Sequence, residues 1–195
     1  MTTDALFREK VPALMARLMA DFDLTAEDAA AVFGNAGHES AGFRILQEIK
    51  PTVVGSRGGY GLFQWTGPRR RNYESYYARN RLKPSDLDAN YAFLFVELTG
   101  SEAAAIPALR KASTLRDKVI AFEQAFERAG VKHYDSRVIW AQKALAAYRA
   151  SETRPEGLPS APPLAPAATE NAPAIPAAPA GSGWLSSILS ALRWR

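Results

Sequence analysis

The chain has 195 residues, of which 47% are hydrophobic, enough to bury one core of ordinary domain size. Its formal net charge is +4, which suits a polyanionic partner such as an acidic wall polymer, nucleic acid or an anionic membrane without selecting one. The absence of cysteine and the presence of two histidines exclude disulfides, a cysteine nucleophile and a histidine-rich metal site. We therefore expect neither a metal nor another cofactor.

The N-terminal residues lack the basic and apolar segments of a secretion signal, and no apolar run approaches the length of a membrane span. We expect a protein made in the cytoplasm. It would reach any target beyond the membrane by another route, such as release through a lysis system.

Apolar residues recur at helical spacing through most of the first 150 residues. The pattern predicts a helix over residues 4–21 and a second from Thr25, which with Asp28 reads as its cap, to about Gly37. The apolar face of this second helix is small enough for close helix packing, and Glu39 falls at or just past its end; the face is formed by Ala29, Val32, Phe33 and Ala36. Further helices are predicted over residues 68–80, from Ser85 to Gly100, from Ser101, from Thr114 to Gly130, and from a cap at Asp135 or Ser136.

One stretch departs from the helical pattern. Residues 50–61 hold four glycines and Pro51 around Thr52-Val53-Val54, which is typical of a short strand or hairpin with loops. The predicted fold class is therefore mainly α, a helical domain over residues 1–150 with one small β-hairpin insert.

The composition changes after the helical domain. Residues 151–183 contain eight of the thirteen prolines, which predicts a disordered linker. Residues 184–195 place tryptophan and leucines on one helical face and serines on the other, so an amphipathic helix is predicted there. It is too short to span a bilayer but suits the surface of an anionic membrane. Docking on the helical domain or on a partner protein is the alternative.

Two motifs carry the candidate chemistry, His38-Glu39-Ser40-Ala41-Gly42-Phe43 and Gly59-Tyr60-Gly61-Leu62-Phe63-Gln64-Trp65. A glycosidic bond breaks when a carboxylic acid protonates the leaving oxygen. Such an acid keeps its proton near neutral pH only in a partly apolar setting, which the neighbouring aromatic residues offer to Glu39. The alternative is an ordinary exposed glutamate, although a helix C-terminus is a poor place for a negative charge.

In this order and spacing the two motifs resemble the phage tail-type lysozyme family of peptidoglycan-cleaving domains, and more distantly goose-type lysozymes and soluble lytic transglycosylases. The likeness covers roughly residues 25–150 and implies a lysozyme-like α+β domain. It implies that Glu39 is the catalytic acid and that Gln64, with the backbone around it, binds sugars or positions a water. Ser40 would orient Glu39 or contact substrate, or else cap the helix. The residues expected to bind substrate are Ser40, Tyr60, Gly61, Phe63, Gln64 and Trp65.

An inverting enzyme would also need a second carboxylate that holds a water. Glu48 follows Glu39 at a spacing similar to that of many phage endolysins, but Val54 stands where their pattern has threonine. Glu97 lies on an otherwise apolar helix and is either buried near the site or the polar edge of that helix. Families with a single acid need no second carboxylate, so Glu39 could also act alone. The candidates for a second carboxylate are Glu48 and Glu97, then Glu123 and Asp88.

The predicted helix from Pro68 to Arg79 mixes arginines with tyrosines. It could meet stem-peptide carboxylates and sugar faces, or it could be a solvated face with its tyrosines half in the core. His38 could tune Glu39 or be purely structural.

The sequence thus predicts an endolysin-type glycosidase that cleaves the β-1,4 bond between N-acetylmuramic acid and N-acetylglucosamine. We expect a monomer acting on peptidoglycan glycan strands, with residues 184–195 available to an anionic membrane and no nucleic-acid partner. A lytic transglycosylase with the same acid, a wall-binding module without catalysis and a virion-associated structural protein remain alternatives.

Overall fold

A computed structural model of the chain describes residues 4–51 and 55–153. The predicted C-terminal helix and nearly all of the predicted linker lie outside these residues. The described part forms seven α-helices, close to the positions that the apolar pattern predicts, so the mainly helical fold class is confirmed. They are α1 (Ala5–Phe22), α2 (Ala26–Glu39), α3 (Gly67–Arg79), α4 (Leu87–Thr99), α5 (Ala105–Lys111), α6 (Leu115–Phe122) and α7 (Tyr134–Glu152). A π-helical segment, Glu123–Glu127, directly continues α6.

Helix α2 lies at the centre of the fold, packed against α1, α6 and α7. The helix starts with the predicted cap. Thr25 Oγ1 accepts a hydrogen bond from the backbone N–H of Asp28, and the Asp28 carboxylate accepts one from the backbone N–H of Thr25. A Cβ placed on Gly34 would lie 2.5 Å from Cβ of Ala141 on α7. Only a residue without a side chain permits this approach, which confirms the close packing expected of the small face.

The predicted β-hairpin is not found within residues 4–51 and 55–153. Pairing there is limited to the isolated bridges Gln47–Tyr60 and Tyr60–Trp65, and residues 52–54, the expected strand, lie outside the described residues. After Tyr60 the chain reverses within four residues, with Gly61 at φ 81° and Gln64 at φ 45°. A β-strand requires negative φ angles, so these left-handed residues prevent an extended strand and the segment forms a tight loop.

The predicted cap of the last helix is wrong. Helix α7 begins after His133, which adopts a left-handed conformation and makes no side-chain cap. The two expected caps have other partners: Ser136 Oγ lies 2.9 Å from Nδ1 of His38, and Asp135 forms an ion pair with Arg116. Both contacts join α7 to other parts of the chain, so a local sequence pattern could not indicate them.

An aromatic core fixes the loop over residues 59–66 against the helices. The Trp65 ring lies 4.6 Å from that of Tyr73 on α3 and 5.0 Å from that of Phe93 on α4, measured between centroids. The Phe63 ring lies 5.2 Å from that of Phe126 in the π-helical segment. The loop is therefore held by α3, α4 and the end of α6 at once.

Among the described helices, none has the length and hydropathy that a membrane span requires.

Candidate active site

Glu39 is the last residue of α2, where the sequence places it. Its side chain is 20% exposed, and Oε1 accepts a 2.5 Å hydrogen bond from Nη2 of Arg137. Arg137 is itself buried and donates to Oδ1 of Asn35 and to the backbone oxygen of Lys132. The three contacts fix the guanidinium, which in turn fixes the orientation of the Glu39 carboxylate.

Ser40 is fully buried. Its hydroxyl donates to the backbone oxygen of Ala36 at 2.6 Å and accepts from the N–H of Phe43 at 3.0 Å. The hydroxyl thus ties the end of α2 to the turn that follows, which supports the capping interpretation. Direct contact with a substrate would require Ser40 to leave this position.

The loop expected to bind sugars divides into two groups of residues. Phe63 and Trp65 are 2% and 1% exposed and belong to the aromatic core, and Gly61 is also buried. Tyr60 and Gln64 are half-buried and present side-chain surface. Gln64 Nε2 donates to the backbone oxygens of Gly61 and Ile45, which leaves its Oε1 without a hydrogen bond within the described residues. Of the predicted substrate-binding side chains, Tyr60 and Gln64 are therefore the two that a ligand can reach.

Both candidate second carboxylates are engaged by the protein. Glu97 is buried and accepts two hydrogen bonds from Arg69, each 2.7 Å, and one of 2.6 Å from Nε1 of Trp65. Glu48 Oε2 accepts from the N–H of Gly59 at 2.8 Å, which ties the loop to the preceding segment. Glu97 thus belongs to a buried ion pair, and Glu48 stabilises the loop.

The two further candidates are engaged as well. Glu123 is fully buried and accepts from the N–H of Ala129, from Lys132 and from the hydroxyl of Tyr134. Asp88 faces Arg17 on α1 at 3.6 Å, but its side chain is 42% exposed. Glu123 is therefore closed to a water that would attack a sugar, whereas Asp88 is not.

The structure brings one unexpected carboxyl, Glu127, close to Glu39. Its Oε1 atom is buried and has no hydrogen-bond partner in the described part of the chain. Burial raises the pKa of Glu127 well above its ordinary value, and the negative charge of Glu39 raises it further, against the opposing effect of Arg69 and Arg137. No motif marks this residue, because its position depends on the π-helical segment and its surroundings on charged groups from four helices.

Residues 10–148 match the sequence profile of the family described as phage tail lysozyme. The chain belongs to the phage tail lysozyme family. The match includes Glu39, the loop over residues 59–66 and Glu127, and it confirms the expected family. Membership indicates a peptidoglycan-lytic enzyme of the lysozyme kind. No curated protein and no solved structure matches the chain.

In this member of the phage tail lysozyme family, His38 is tied to α7 through Ser136, and its ring lies 5.5 Å from that of His133. Burial, with smaller contributions from the charges of Arg137 and His133, lowers the pKa of His38 to about 4. The imidazole is therefore uncharged at neutral pH and adds no positive charge beside Glu39.

In this phage tail lysozyme domain, several arginines and tyrosines of α3 contact other parts of the protein and not the solvent. Arg69 pairs with Glu97, and the buried Arg70 donates to Glu74 and to the backbone oxygen of Gly58. Tyr73 is buried and donates to the backbone oxygen of Pro84. The interpretation of α3 as a face partly in the core is supported for these residues, while Arg71 and Arg79 are exposed.

Across residues 4–51 and 55–153, no cluster of three or more histidine, aspartate or glutamate side chains could hold a metal ion. The candidate site of this phage tail lysozyme domain thus consists of carboxyl, guanidinium, amide and phenol groups.

Proposed function

We propose that the chain cleaves the β-1,4 bond between N-acetylmuramic acid and N-acetylglucosamine in peptidoglycan, with Glu39 as general acid. The observation that carries this proposal is the placement of Glu39: a partly exposed carboxylate at the end of α2, oriented by the buried Arg137. A family of lysozymes needs such an acid to protonate the leaving sugar oxygen. General acid catalysis contributes about 100- to 10,000-fold to a rate.

The substrate would approach along the half-buried side chains of Tyr60 and Gln64. The open Oε1 of Gln64 can accept from a sugar hydroxyl or an N-acetyl N–H, or it can orient a water. The Arg70 guanidinium lies over the Tyr60 ring, 4.9 Å from its centroid, so a pyranose ring would pack on the part of Tyr60 that stays exposed. Both side chains are anchored by the loop, so they form a pre-organised wall rather than a flexible one.

A lytic transglycosylase with the same acid is the second candidate. It is favoured by the engagement of Glu97, because both of its carboxylate oxygens accept hydrogen bonds and neither is free to hold an attacking water. Glu48 is engaged through one oxygen. In a transglycosylase the sugar's own 6-hydroxyl would attack in place of that water. The acid and the bond cleaved are identical in the two reactions.

The experiment compares the wild type with Glu39→Gln on purified peptidoglycan. We expect the wild type to release soluble fragments and Glu39→Gln to lose about 100-fold or more of the rate, because an amide cannot donate the proton. Mass spectrometry of the fragments separates the two reactions: reducing-end muramic acid marks hydrolysis, and 1,6-anhydro ends mark transglycosylation.

Glu27→Gln is the matched control, since Glu27 lies on the same helix but is exposed and pairs with Arg149. Its activity should equal that of the wild type. Equal solubilisation by the wild type and Glu39→Gln would refute the assignment of Glu39. Wall binding without solubilisation by the wild type would favour a wall-binding module or a virion-associated structural role.

We propose further that the enzyme acts as a monomer on the wall after release from the cytoplasm. The proposal is supported by the family alone, whose activity is directed at peptidoglycan. Fractionation of producing cells before and after lysis, with an antibody against the chain, tests it. Recovery of the protein in assembled virions would favour the virion-associated role.

A further inference from the structure

Glu127 is the one carboxyl beside Glu39 that the proposed reaction does not yet use. It ends the π-helical segment, and Arg128 follows in a left-handed conformation at φ 53°. The segment is held from outside, because Arg69 Nη1 donates to the backbone oxygen of Phe126 at 3.0 Å. The backbone thus fixes the side chain of Glu127 next to the site.

The charges around Glu127 come from four helices: Glu39 on α2, Arg69 on α3, Glu97 on α4 and Arg137 on α7. The two guanidiniums are already committed. Arg69 forms a two-point ion pair with Glu97, and Arg137 donates a single hydrogen bond to Glu39. Neither guanidinium donates to Oε1 of Glu127, which is buried and unpartnered within the described residues.

The cluster therefore contains three carboxyls against two guanidiniums. If all five groups were charged, one buried negative charge would be uncompensated, which is strongly unfavourable in a protein interior. One bound proton removes the imbalance. Glu127 is the carboxyl of the cluster without an ion-pair partner, so binding the proton there costs the least free energy.

We propose that the cluster stores one proton on Glu127 in the resting enzyme and delivers it through Glu39 to the glycosidic oxygen. This inference rests on the proposed function of Glu39. Glu127 would be a positioning residue, since it acts through Glu39 and does not touch the substrate. The raised pKa of Glu127 agrees with this assignment.

No hydrogen bond joins Glu127 to Glu39 within the described residues, so the proton of the Glu127 carboxyl passes to the Glu39 carboxylate through one bridging water. The negative charge is then on Glu127, near Arg69 and Arg137. Glu39 then gives the proton to the glycosidic oxygen, which takes the electron pair of the breaking bond to the anomeric carbon. A water or the sugar's own 6-hydroxyl attacks that carbon, and the proton it loses returns to the carboxyl pair.

The first test uses Glu127→Gln in the full chain, because glutamine keeps the shape and the neutral state but cannot release a proton. We expect the rate of peptidoglycan solubilisation to fall about 10- to 100-fold, with a changed pH profile, while the melting temperature stays at or above that of the wild type. Glu27→Gln again serves as control. An active wild type together with a Glu127→Gln variant of equal rate and pH profile would overturn the inference and leave the role of Glu39 intact.

The second test does not depend on activity. In the chain labelled with ¹³C at the glutamate side-chain carboxyls, NMR should show one carboxyl that titrates well above the ordinary glutamate range. That signal should be missing in Glu127→Gln and should move to lower pH in Glu39→Gln, because the neighbouring negative charge is gone. A high-titrating signal that persists in Glu127→Gln would overturn the proposed proton store. An inactive wild type would overturn the proposed function and with it the delivery step.

Discussion

Glu39 on α2 and Arg137 on α7 are joined by a 2.5 Å hydrogen bond across 98 residues of sequence. The same guanidinium binds Oδ1 of Asn35, one turn earlier on α2, and the backbone oxygen of Lys132. One buried side chain thus joins the two central helices and orients the candidate acid.

Replacing Arg137 should therefore affect stability and activity together. Arg137→Met keeps the apolar stem of the side chain but leaves Glu39 and Asn35 without their partner. We expect the free energy of unfolding to fall by about 3–5 kcal/mol, as for other broken buried ion pairs. Urea denaturation measures the fall, and peptidoglycan solubilisation should be lost as well.

Arg149→Met is the control for this prediction. Arg149 lies on the same helix and pairs with Glu27, but its side chain is 62% exposed. An exposed pair contributes only about 0–1 kcal/mol. Equal stability of the two variants would show that the Arg137 contacts do not hold the helices together.

Glu97 should behave as a structural residue. Glu97→Gln removes the negative charge that Arg69 and Trp65 share, so we expect the free energy of unfolding to fall by about 3 kcal/mol. Because Glu97 is also one of the three carboxyls around Arg69 and Arg137, the folded variant should still cleave peptidoglycan but with a changed pH profile. Urea denaturation and an assay well below the melting temperature measure the two effects separately.

Trp65→Phe is a companion variant that removes the Nε1–H donor together with part of a buried ring. Its cost should exceed the about 1 kcal/mol typical of one hydrogen bond, because the smaller ring also leaves a cavity. If Glu97→Gln kept full stability but lost activity, Glu97 would be a catalytic group after all.

His38 should make the stability of the fold depend on pH. Its pKa is lowered in the folded protein to about 4 from the ordinary 6.5, so the unfolded chain binds more protons between these values. Stability therefore falls as the pH drops from about 6.5 to about 4. His38→Asn should show a smaller fall than the wild type when denaturation is measured at pH 7 and pH 4.

His133→Asn is the matched control for this pH dependence. His133 is exposed and contributes only the smallest of the three effects on His38. It should keep most of the wild-type dependence. An equal pH dependence in His38→Asn and the wild type would show that His38 is not the group that titrates.

The C-terminal residues provide a prediction that concerns membranes. Residues 184–195 lie outside the described part of the structure, and their sequence predicts an interfacial helix. A chain shortened to residues 1–153 should lose binding to anionic liposomes in a sedimentation assay, while it still solubilises purified peptidoglycan. Equal liposome binding by the short and full chains would contradict the membrane hypothesis.

The sequence by itself determined the elements whose signals are local. Apolar periodicity indicated the helices, and the Thr25 cap was visible from Asp28 three positions later. Glu39 was placed at a helix end, and the two motifs identified the family that the profile match confirmed. All of these depend on neighbours a few residues apart.

The tertiary structure decided which polar groups are engaged and which are left over. Ser136 pairs with His38 instead of capping α7, Glu97 is neutralised by Arg69, and Glu127 lies beside Glu39 without a partner. Each outcome depends on groups brought together from distant parts of the chain. The charge balance of a buried cluster therefore depends on the tertiary structure. The free-energy cost of burying a carboxylate is set by how many nearby cations are not already paired with another carboxylate.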